Sequence, residues 1–549
     1  MNPLRLLAGL ILPLAVAAAE LPPLDLGAVQ EEHRMIPMRD GTRLSAYVYR
    51  PRTGGPWPVV FEQRYAVITG AASRRELAAI AAHGYVAARV SFRGAQRSEG
   101  VWRGYRALGW GEQQDGYDLV EWFAAQPWSN GKVGTFGGSQ GGFAQNFLAV
   151  TRPPHLVCQY MSDTGLSLFH EGYRIGGAAK PERFKKMEAA RDPADHRALL
   201  AEWFRHPTYD DYWRAEDSSL HVARMNVPCF TVGSWYDFMS VGSIESFIGR
   251  QHRGGPGSRG RQQLVVGPWL HGGLPKGNRI GELEYPENAR FDTAAHRLRW
   301  FDHHLKGIDN GVEREPAVRY YVMGAVDEPG APGNVWRTAS DWPVPSTPTR
   351  YYLHDGGGLG QEAPGEAAST TRYISDPANP MSLPYAAFPG ARDARAFEQQ
   401  RDVRTFTTPP LAEPVEWTGK VRAELWVEST ARDADFIVRI SDVYPDGRSI
   451  LIMDYVRRAR FREGWEREVP MEPGRVYRVA FDVGSLSQIF NRGHRIRVTL
   501  ASTGAPFYEP NPQDGGPIAI DFPTDPVKAT HTVHHHRLHA SHVLAPVVR

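Results

Sequence analysis

The sequence predicts an α/β domain on a parallel sheet, interrupted by a helical insertion and followed by an all-β domain. Three observations predict it. From about residue 30 to 316, buried-type strands alternate with amphipathic helices, the pattern of a parallel sheet with helical crossovers. Between about 165 and 225 helix-compatible, charged and aromatic segments stand where the next strand is due. From about 317 onward short alternating runs follow one another between turns, with no helix-length periodicity.

In chain order, Arg5 followed by the apolar run Leu6 to Val16 and the small residues Ala17, Ala18 and Ala19 reads as an export signal with cleavage before Glu20. That run is short for a bilayer span. The mature chain is therefore expected in the periplasm or outside the cell, with no remaining membrane segment. Residues 20–164 and 226–316 form the two parts of the α/β domain, 165–225 its cap, and 317–549 a β-sandwich of jelly-roll type. Within the first part, Leu44 to Tyr49, Val59 to Phe61 and Tyr85 to Val90 read as strands, and Ser73 to His83 and Glu112 to Ala125 as helices.

The run Val133 to Phe136 then meets Gly137-Gly138-Ser139-Gln140-Gly141, and a helix-compatible stretch, Phe143 to Val150, follows. Gly-x-Ser-x-Gly between a strand and a helix is the nucleophile elbow of an α/β-hydrolase. The serine sits on a strained turn that exposes its hydroxyl, and flanking glycines remove side chains that would collide there. The Gln140 N–H opens a helix and faces any oxyanion formed on the substrate, and the Tyr65 phenol, just past the Val59–Phe61 strand, supplies a second donor.

Past the cap, Val227 to Val232 ends in Gly233-Ser234-Trp235-Tyr236-Asp237, and Gln263 to Val266 ends in Gly267-Pro268-Trp269-Leu270-His271. An aspartate and a histidine thus follow two successive buried strands. Ser139, Asp237, His271 is the chain order of an α/β-hydrolase triad, with serine as nucleophile, histidine as base and aspartate orienting the base. Trp235, Phe238 and Trp269 flank these residues and are candidate substrate contacts. In the cap, His170, His196, His206 and His221 read as surface or packing residues.

Composition narrows the alternatives. A net charge of +2 over 549 residues carries no concentrated basic signature of nucleic-acid binding. The two cysteines, Cys158 and Cys229, lie in apolar strand-like runs and read as buried free thiols, not as a disulfide framework. The tail holds His531, His534, His535, His536, His539 and His542. Alternate histidines share a strand face, as metal ligation needs. No cysteine or carboxylate in the segment completes a ligand set, and Val533, Leu538 and Val543 read as packing, so no metal is expected.

Several runs together resemble one group of enzymes. Asp115-Gly116-Tyr117, Glu121-Trp122, Gln126 to Gly134, the elbow, Trp235-Tyr236-Asp237, Gly267-Pro268-Trp269-x-His271 and Phe301 to Gly307 are similar to the CocE/NonD hydrolases. That group includes cocaine esterases, α-amino-acid ester hydrolases and glutaryl-cephalosporin acylases, with the X-Pro dipeptidyl-peptidases of family S15 more distant. Asp433-Ala434-Asp435-Phe436, Asp442 to Gly447 and Gly493 to Val498 resemble the group's jelly-roll domain.

The resemblance implies an acyl-transfer serine hydrolase acting on a small ester, amide or short peptide, without metal or organic cofactor, as a monomer or homo-oligomer. It gives Ser139, His271 and Asp237 the triad roles, and Gln140 with Tyr65 the oxyanion hole. The chain departs from the group at three places. Gln140 stands where tyrosine is usual, and Ser91-Phe92-Arg93-Gly94 lacks the aspartate of Asp-x-Arg-Gly. Phe238-Met239-Ser240 follows Asp237 where the α-amino-acid ester hydrolases carry acids for a substrate ammonium, although Asp163 or Glu171 remain available. A buried ammonium without a carboxylate is costly, which disfavours α-amino acyl groups. An X-Pro dipeptidyl-peptidase is the second expectation. A glycan-binding protein with a vestigial hydrolase site is the third.

Overall fold

A computed structural model describes residues 21–179, 190–273, 278–382, 390–517 and 526–549. The expected leader at 1–19, and all of the Lys180–Ala190 segment except Ala190, lie outside them. The first domain is a ten-stranded sheet. Its strands are β1 (Val29–Pro37), β2 (Arg43–Pro51), β3 (Trp57–Arg64), β4 (Val86–Ser91), β5 (Ser129–Gly138), β6 (Leu156–Ser162), β7 (Cys229–Ser234), β8 (Gln263–Gly267), β9 (Val318–Val322) and β10 (Val335–Ala339). The spatial order is β1-β2-β4-β3-β5-β6-β7-β8-β9-β10, and neighbours from β4 through β9 run parallel.

Helices α1 (Ala71–Ala82), α2 (Asp115–Ala124), α3 (Gln140–Thr151), α5 (Ser240–Arg253) and α6 (Thr293–Lys306) cover the two faces of the sheet. Every residue of β4, β7 and β8 is buried, as continuous apolar strands under helical crossovers must be. The Phe301–Gly307 run is structural: Phe301 and Leu305 pack on Gly134 of β5, where an added Cβ would come within 3.2 Å of both. Asp302 accepts the Tyr85 hydroxyl at 2.6 Å and Lys306 Nζ at 2.7 Å.

Between β6 and β7 the chain leaves the sheet and forms α4 (Pro193–Arg205) with shorter turns at Leu168–Tyr173, Asp211–Arg214 and Ser218–Arg224. Asp192, Asp210 and Asp217 cap the starts of three of these by accepting backbone N–H groups. The aromatic content of the stretch has a purpose: Phe169, Tyr173, Trp203, Tyr209 and Trp213 pack with Phe92, Trp102, Tyr105 and Phe143 into one cluster over the elbow helix.

One expectation is corrected. Val318–Val322, assigned by sequence to the β-sandwich, pairs parallel with β8 and extends the first sheet, and β10 closes that edge antiparallel. Its alternation and turn-flanking look the same in either sheet; only its partner distinguishes them. The sandwich proper has a larger sheet of eight strands, which includes β11 (Thr347–Leu353), β12 (Thr370–Ser375) and β14 (Val415–Ser429). The smaller sheet of four strands holds β13 (Arg404–Thr407), β15 (Asp435–Val443), β16 (Ser449–Arg458) and β18 (Arg495–Ala501). β17 (Tyr477–Phe490), β19 (Ala529–His536), β20 (His539–Ala540) and β21 (His542–Val548), with the short edge strand Leu359–Gly360, complete the larger sheet.

The charged motifs of this domain are buried ion networks. Asp433 holds Arg460 and Asp435 holds Arg458, at 2.5 and 2.8 Å, while Asn511 donates to both carboxylates. His494 bridges Asp442 and Glu328 at 2.8 Å each. One apolar cluster runs from Trp235, Phe247 and Val322 of the first domain to Trp417 and Phe490 of the sandwich, so the two halves share a core. At Gly176 the backbones approach so closely that a Cβ would overlap the Val456 carbonyl, and Arg458 N donates to the Gly176 carbonyl at 2.8 Å. Cys158 and Cys229 are buried and unbridged. No helix of the described residues is long and apolar enough to cross a membrane.

Candidate active site

The adjacent strands β5, β6, β7 and β8 deliver Ser139, Asp163, Asp237 and His271 to one edge of the sheet. Carboxyl ends of parallel strands, where the chain turns from strand to helix, are where such sheets bind ligands. Ser139 takes φ 55°, ψ −113°, outside the left-handed helical basin and strained for a residue with a Cβ. The turn survives because it is held on both sides. Ser139 N donates to the Ser162 and Asp163 carbonyls at 3.0 and 3.2 Å, and its own carbonyl accepts from Gly142 and Phe143 N at 3.0 Å each.

The glycines of the elbow are dictated by one buried acid. A Cβ on Gly137, at φ +124°, would sit 2.7 Å from Glu62 Cγ, and one on Gly141 would sit 2.9 Å from Glu62 Oε1. Glu62 cannot move aside, because Arg89 Nε binds its other oxygen at 2.5 Å and Arg64 stands 3.3 Å away. Gly138 and Gly142 likewise face Ser162 Oγ and the Thr164 side chain, and a methyl added at either glycine would overlap them.

His271 Nδ1 lies 3.1 Å from Asp237 Oδ2. The Asp237 carboxylate is wholly buried, while the His271 side chain stays 25 % exposed. Asp163, the strand-end acid of β6, sits between the two halves of this arrangement. Its carbonyl accepts from Ser139 N, its Oδ2 accepts from Gly272 N at 2.7 Å, and its Oδ1 accepts from Ser234 Oγ at 2.8 Å. One residue therefore locks the serine turn to the histidine loop. Burial, followed by the negative charge of Asp237, pushes the Asp163 carboxyl up to about 7, against the opposing pull of a charged His271. Asp163 follows its strand as Asp237 and His271 follow theirs, so the rule that found those two residues would also find this one.

Gln140 shows a role that its sequence position alone does not reveal. Its side-chain Oε1 accepts from both Tyr65 N and Ala66 N at 2.9 Å, tying the loop after β3 to the elbow. Tyr65 N is thereby occupied, which leaves the phenolic O–H as that residue's free donor. The Tyr65 ring is clamped edge-on by Phe92, Trp102 and Tyr105, with centroids 5.7, 5.7 and 6.1 Å away. The missing aspartate before Arg93 is offset elsewhere: Arg93 binds Asp115 at 2.6 Å and Asp40 at 2.7 Å.

Of the three candidate substrate contacts, Phe238 lies against the site, its ring stacked 5.7 Å from His271 at 28°. Trp235 and Trp269 are corrected to core residues, 4 % and 2 % exposed. Their indole N–H groups donate to the Tyr321 and Ala289 carbonyls at 2.8 Å each. Gly267 makes the Trp269 fold-back possible, since a Cβ there would overlap the indole. Glu171 turns inward too and accepts from Leu166 and Ser167 N at 2.6 and 2.9 Å. Both acids left open for a substrate ammonium are thus spent on backbone N–H groups.

Two spaces adjoin the site. A cavity of about 560 Å³ opens behind the elbow, lined by Gly137, Ser162, Asp163, Gly272, Arg89 and Arg297 among others, and neither Ser139 nor His271 lines it. A smaller one of about 60 Å³ lies where Asp237 and Phe238 meet Met453, Tyr455 and Tyr508 of the sandwich. The second domain therefore borders the acid–base pair.

The chain matches two sequence families. The X-Pro dipeptidyl-peptidase (S15 family) profile covers residues 40–194 and 182–273, and the X-Pro dipeptidyl-peptidase C-terminal non-catalytic domain covers 310–544. A cocaine esterase of Rhodococcus sp. (strain MB1 Bresler) is 29 % identical over 94 % of this chain and 98 % of its own length. In structure, an α-amino acid ester hydrolase superposes with TM-score 0.84 at 23 % identity, over 98 % of this chain and all of that one. A CocE/NonD family hydrolase from Staphylococcus aureus superposes with TM-score 0.72 at 19 % identity, over 95 % of this chain and 94 % of that one.

Proposed function

Because this chain belongs to the CocE/NonD serine hydrolases, enzymes of ester or peptide bonds that carry the S15-type catalytic and C-terminal domains, we propose that it works through a covalent acyl-enzyme on Ser139. The observation that carries this reading is the buried Asp237 carboxylate 3.1 Å from His271 Nδ1, locked through Asp163 to a serine on a strained strand-to-helix turn. Asp237 orients the imidazole through Nδ1, which assigns the serine proton to Nε2. Ser139 Oγ attacks the substrate carbonyl as His271 takes that proton, and the carbonyl oxygen becomes an oxyanion received by Gln140 N–H and the Tyr65 phenol. His271 then protonates the leaving alcohol or amine as the acyl bond breaks. Water, activated by the same imidazole, releases the acid and regenerates the serine.

The acyl side is read as uncharged. Phe238 lies against His271, and the two acids that the sequence left open for this role, Asp163 and Glu171, are turned to backbone N–H groups, so an α-ammonium would have no carboxylate from either. The S15 profile favours a second reading, an X-Pro dipeptidyl-peptidase. The apolar leader supports action outside the cytoplasm, and N-terminal sequencing of the mature protein should begin at Glu20.

Labelling with a fluorophosphonate and peptide mapping tests the mechanism. One adduct on Ser139, lost in Ser139→Ala, is expected. Folded protein that takes no label would sink the acyl-enzyme assignment. Faster turnover of X-Pro-p-nitroanilides than of simple p-nitrophenyl esters would move the second reading ahead of the first.

A further inference from the structure

Three histidines of the C-terminal hairpin meet on the outer face of the sandwich. His534 and His536 alternate on β19 and so share a side of the sheet, and His539 of β20 pairs directly across from His536. One ring nitrogen from each lies within 4.8 Å of the other two. The neighbouring β14 adds an acid to the same face: its register sets Trp426 opposite His534 and Glu428 opposite Thr532. Glu428 Oε2 stands 3.5 Å from His534 Nε2. The carboxylate that the tail's own sequence lacks is therefore supplied by a strand about a hundred residues earlier.

We propose that His534, His536, His539 and Glu428 form a structural zinc site. Zinc takes four N, O or S ligands tetrahedrally, with Zn–N bonds of about 2.0–2.1 Å, which sets ligand atoms about 3.4 Å apart. The three nitrogens, within 4.8 Å, need only small side-chain rotations to reach that spacing, and the Glu428–His534 separation already matches it.

One further feature points to a ligand. His536 Nδ1 is shut off from solvent and makes no hydrogen bond, a costly arrangement for a buried polar atom unless something else satisfies it, and His534 Nε2, equally buried, faces the Glu428 carboxylate at 3.5 Å. The rings are also held in place, since His539 stacks on Trp426 with centroids 4.6 Å apart.

Four protein ligands leave no open position, which marks the ion as structural and not hydrolytic. It would fasten the β19–β20 hairpin to β14 and secure the strands that the last twenty residues insert into the larger sheet. His535, on the opposite side of β19, is excluded from the set because both its ring nitrogens are engaged by Ser369 and Thr371, each at 2.9 Å.

The full chain, stripped with a chelator, is titrated with Zn²⁺ by calorimetry and with Co²⁺ by visible absorption. One ion per chain, bound at micromolar affinity or tighter, is expected. It should show the intense bands of tetrahedral cobalt, a raised unfolding midpoint and slower amide exchange at residues 529–540. His536→Gln/His539→Gln should abolish all four effects and Glu428→Gln should weaken them. His303→Gln, in the separate His303–His304–Glu313 group, should change none. If the double variant does not fold, His539→Gln alone, at the partly exposed hairpin tip, carries the same expectation. Absence of binding by the stripped parent chain overturns the proposal, as does zinc affinity that survives the loss of His539.

Discussion

Replacing Gln140 by leucine separates the two jobs of that residue. Its backbone N–H, the proposed oxyanion donor, is retained. What is lost is the side-chain oxygen that accepts from Tyr65 N and Ala66 N at 2.9 Å each. An unsatisfied buried donor costs about 1–3 kcal/mol, and both groups here are only half-buried, so the low end applies and the loop loses about 2 kcal/mol of ordering. If that ordering positions the Tyr65 phenol, kcat should fall by up to about 30-fold, the rate equivalent of 2 kcal/mol. The aromatic clamp on the Tyr65 ring makes this a ceiling, and a loss of about 5- to 30-fold is expected with KM little changed. Tyr65→Phe removes the donor itself and should cost about 100-fold. The double variant should be no slower than Tyr65→Phe, because the tether has nothing left to position. Steady-state kinetics on a p-nitrophenyl ester, with unfolding curves for each variant, measures all three. Losses that multiply in the double variant, or wild-type kcat in Gln140→Leu, would refute the coupling.

Two further variants probe the frame beneath the serine. Gly137→Ala sets a Cβ 2.7 Å from the immobile Glu62 at φ +124°, and should destabilise the protein by more than about 2 kcal/mol and abolish fluorophosphonate reactivity. Gly307→Ala, also at positive φ but in open space, should cost only about 1 kcal/mol; equal losses would show that Glu62 does not set the requirement. Asp163→Asn tests the raised carboxyl. Its folded value of about 7 exceeds the ordinary 3.8, so the folded state holds an extra proton between those values. The stability it contributes is full below about 4 and is lost as pH rises to about 7. Unfolding midpoints across that window should fall less steeply in the variant than in the parent, and an unchanged slope would remove the case for a proton on Asp163.

The parts of this enzyme that depend on local order could be read from the residues in a row. Strand-to-helix transitions carry their own signature, so the elbow at Ser139 and the strand ends at Asp237 and His271 were legible, because a residue just past a buried parallel strand must fall at the sheet's carboxyl edge whatever the distant chain does. Residue identity alone could not say where side chains turn. Trp235 and Trp269 read as substrate contacts by proximity, yet each found a backbone carbonyl and a core to fill. Val318–Val322 read as a sandwich strand, since alternation records that a strand has two faces and not which strand lies beside it. Contacts between segments far apart in the chain came from the folded arrangement alone. It set Glu62 against the elbow glycines, Gln140 against the Tyr65 loop, Asp163 between serine and histidine, and Glu428 beside the tail histidines. Each of these pairings depends on strand order and register, which are fixed by the packing of the whole sheet and leave no mark in the short runs that supply the side chains.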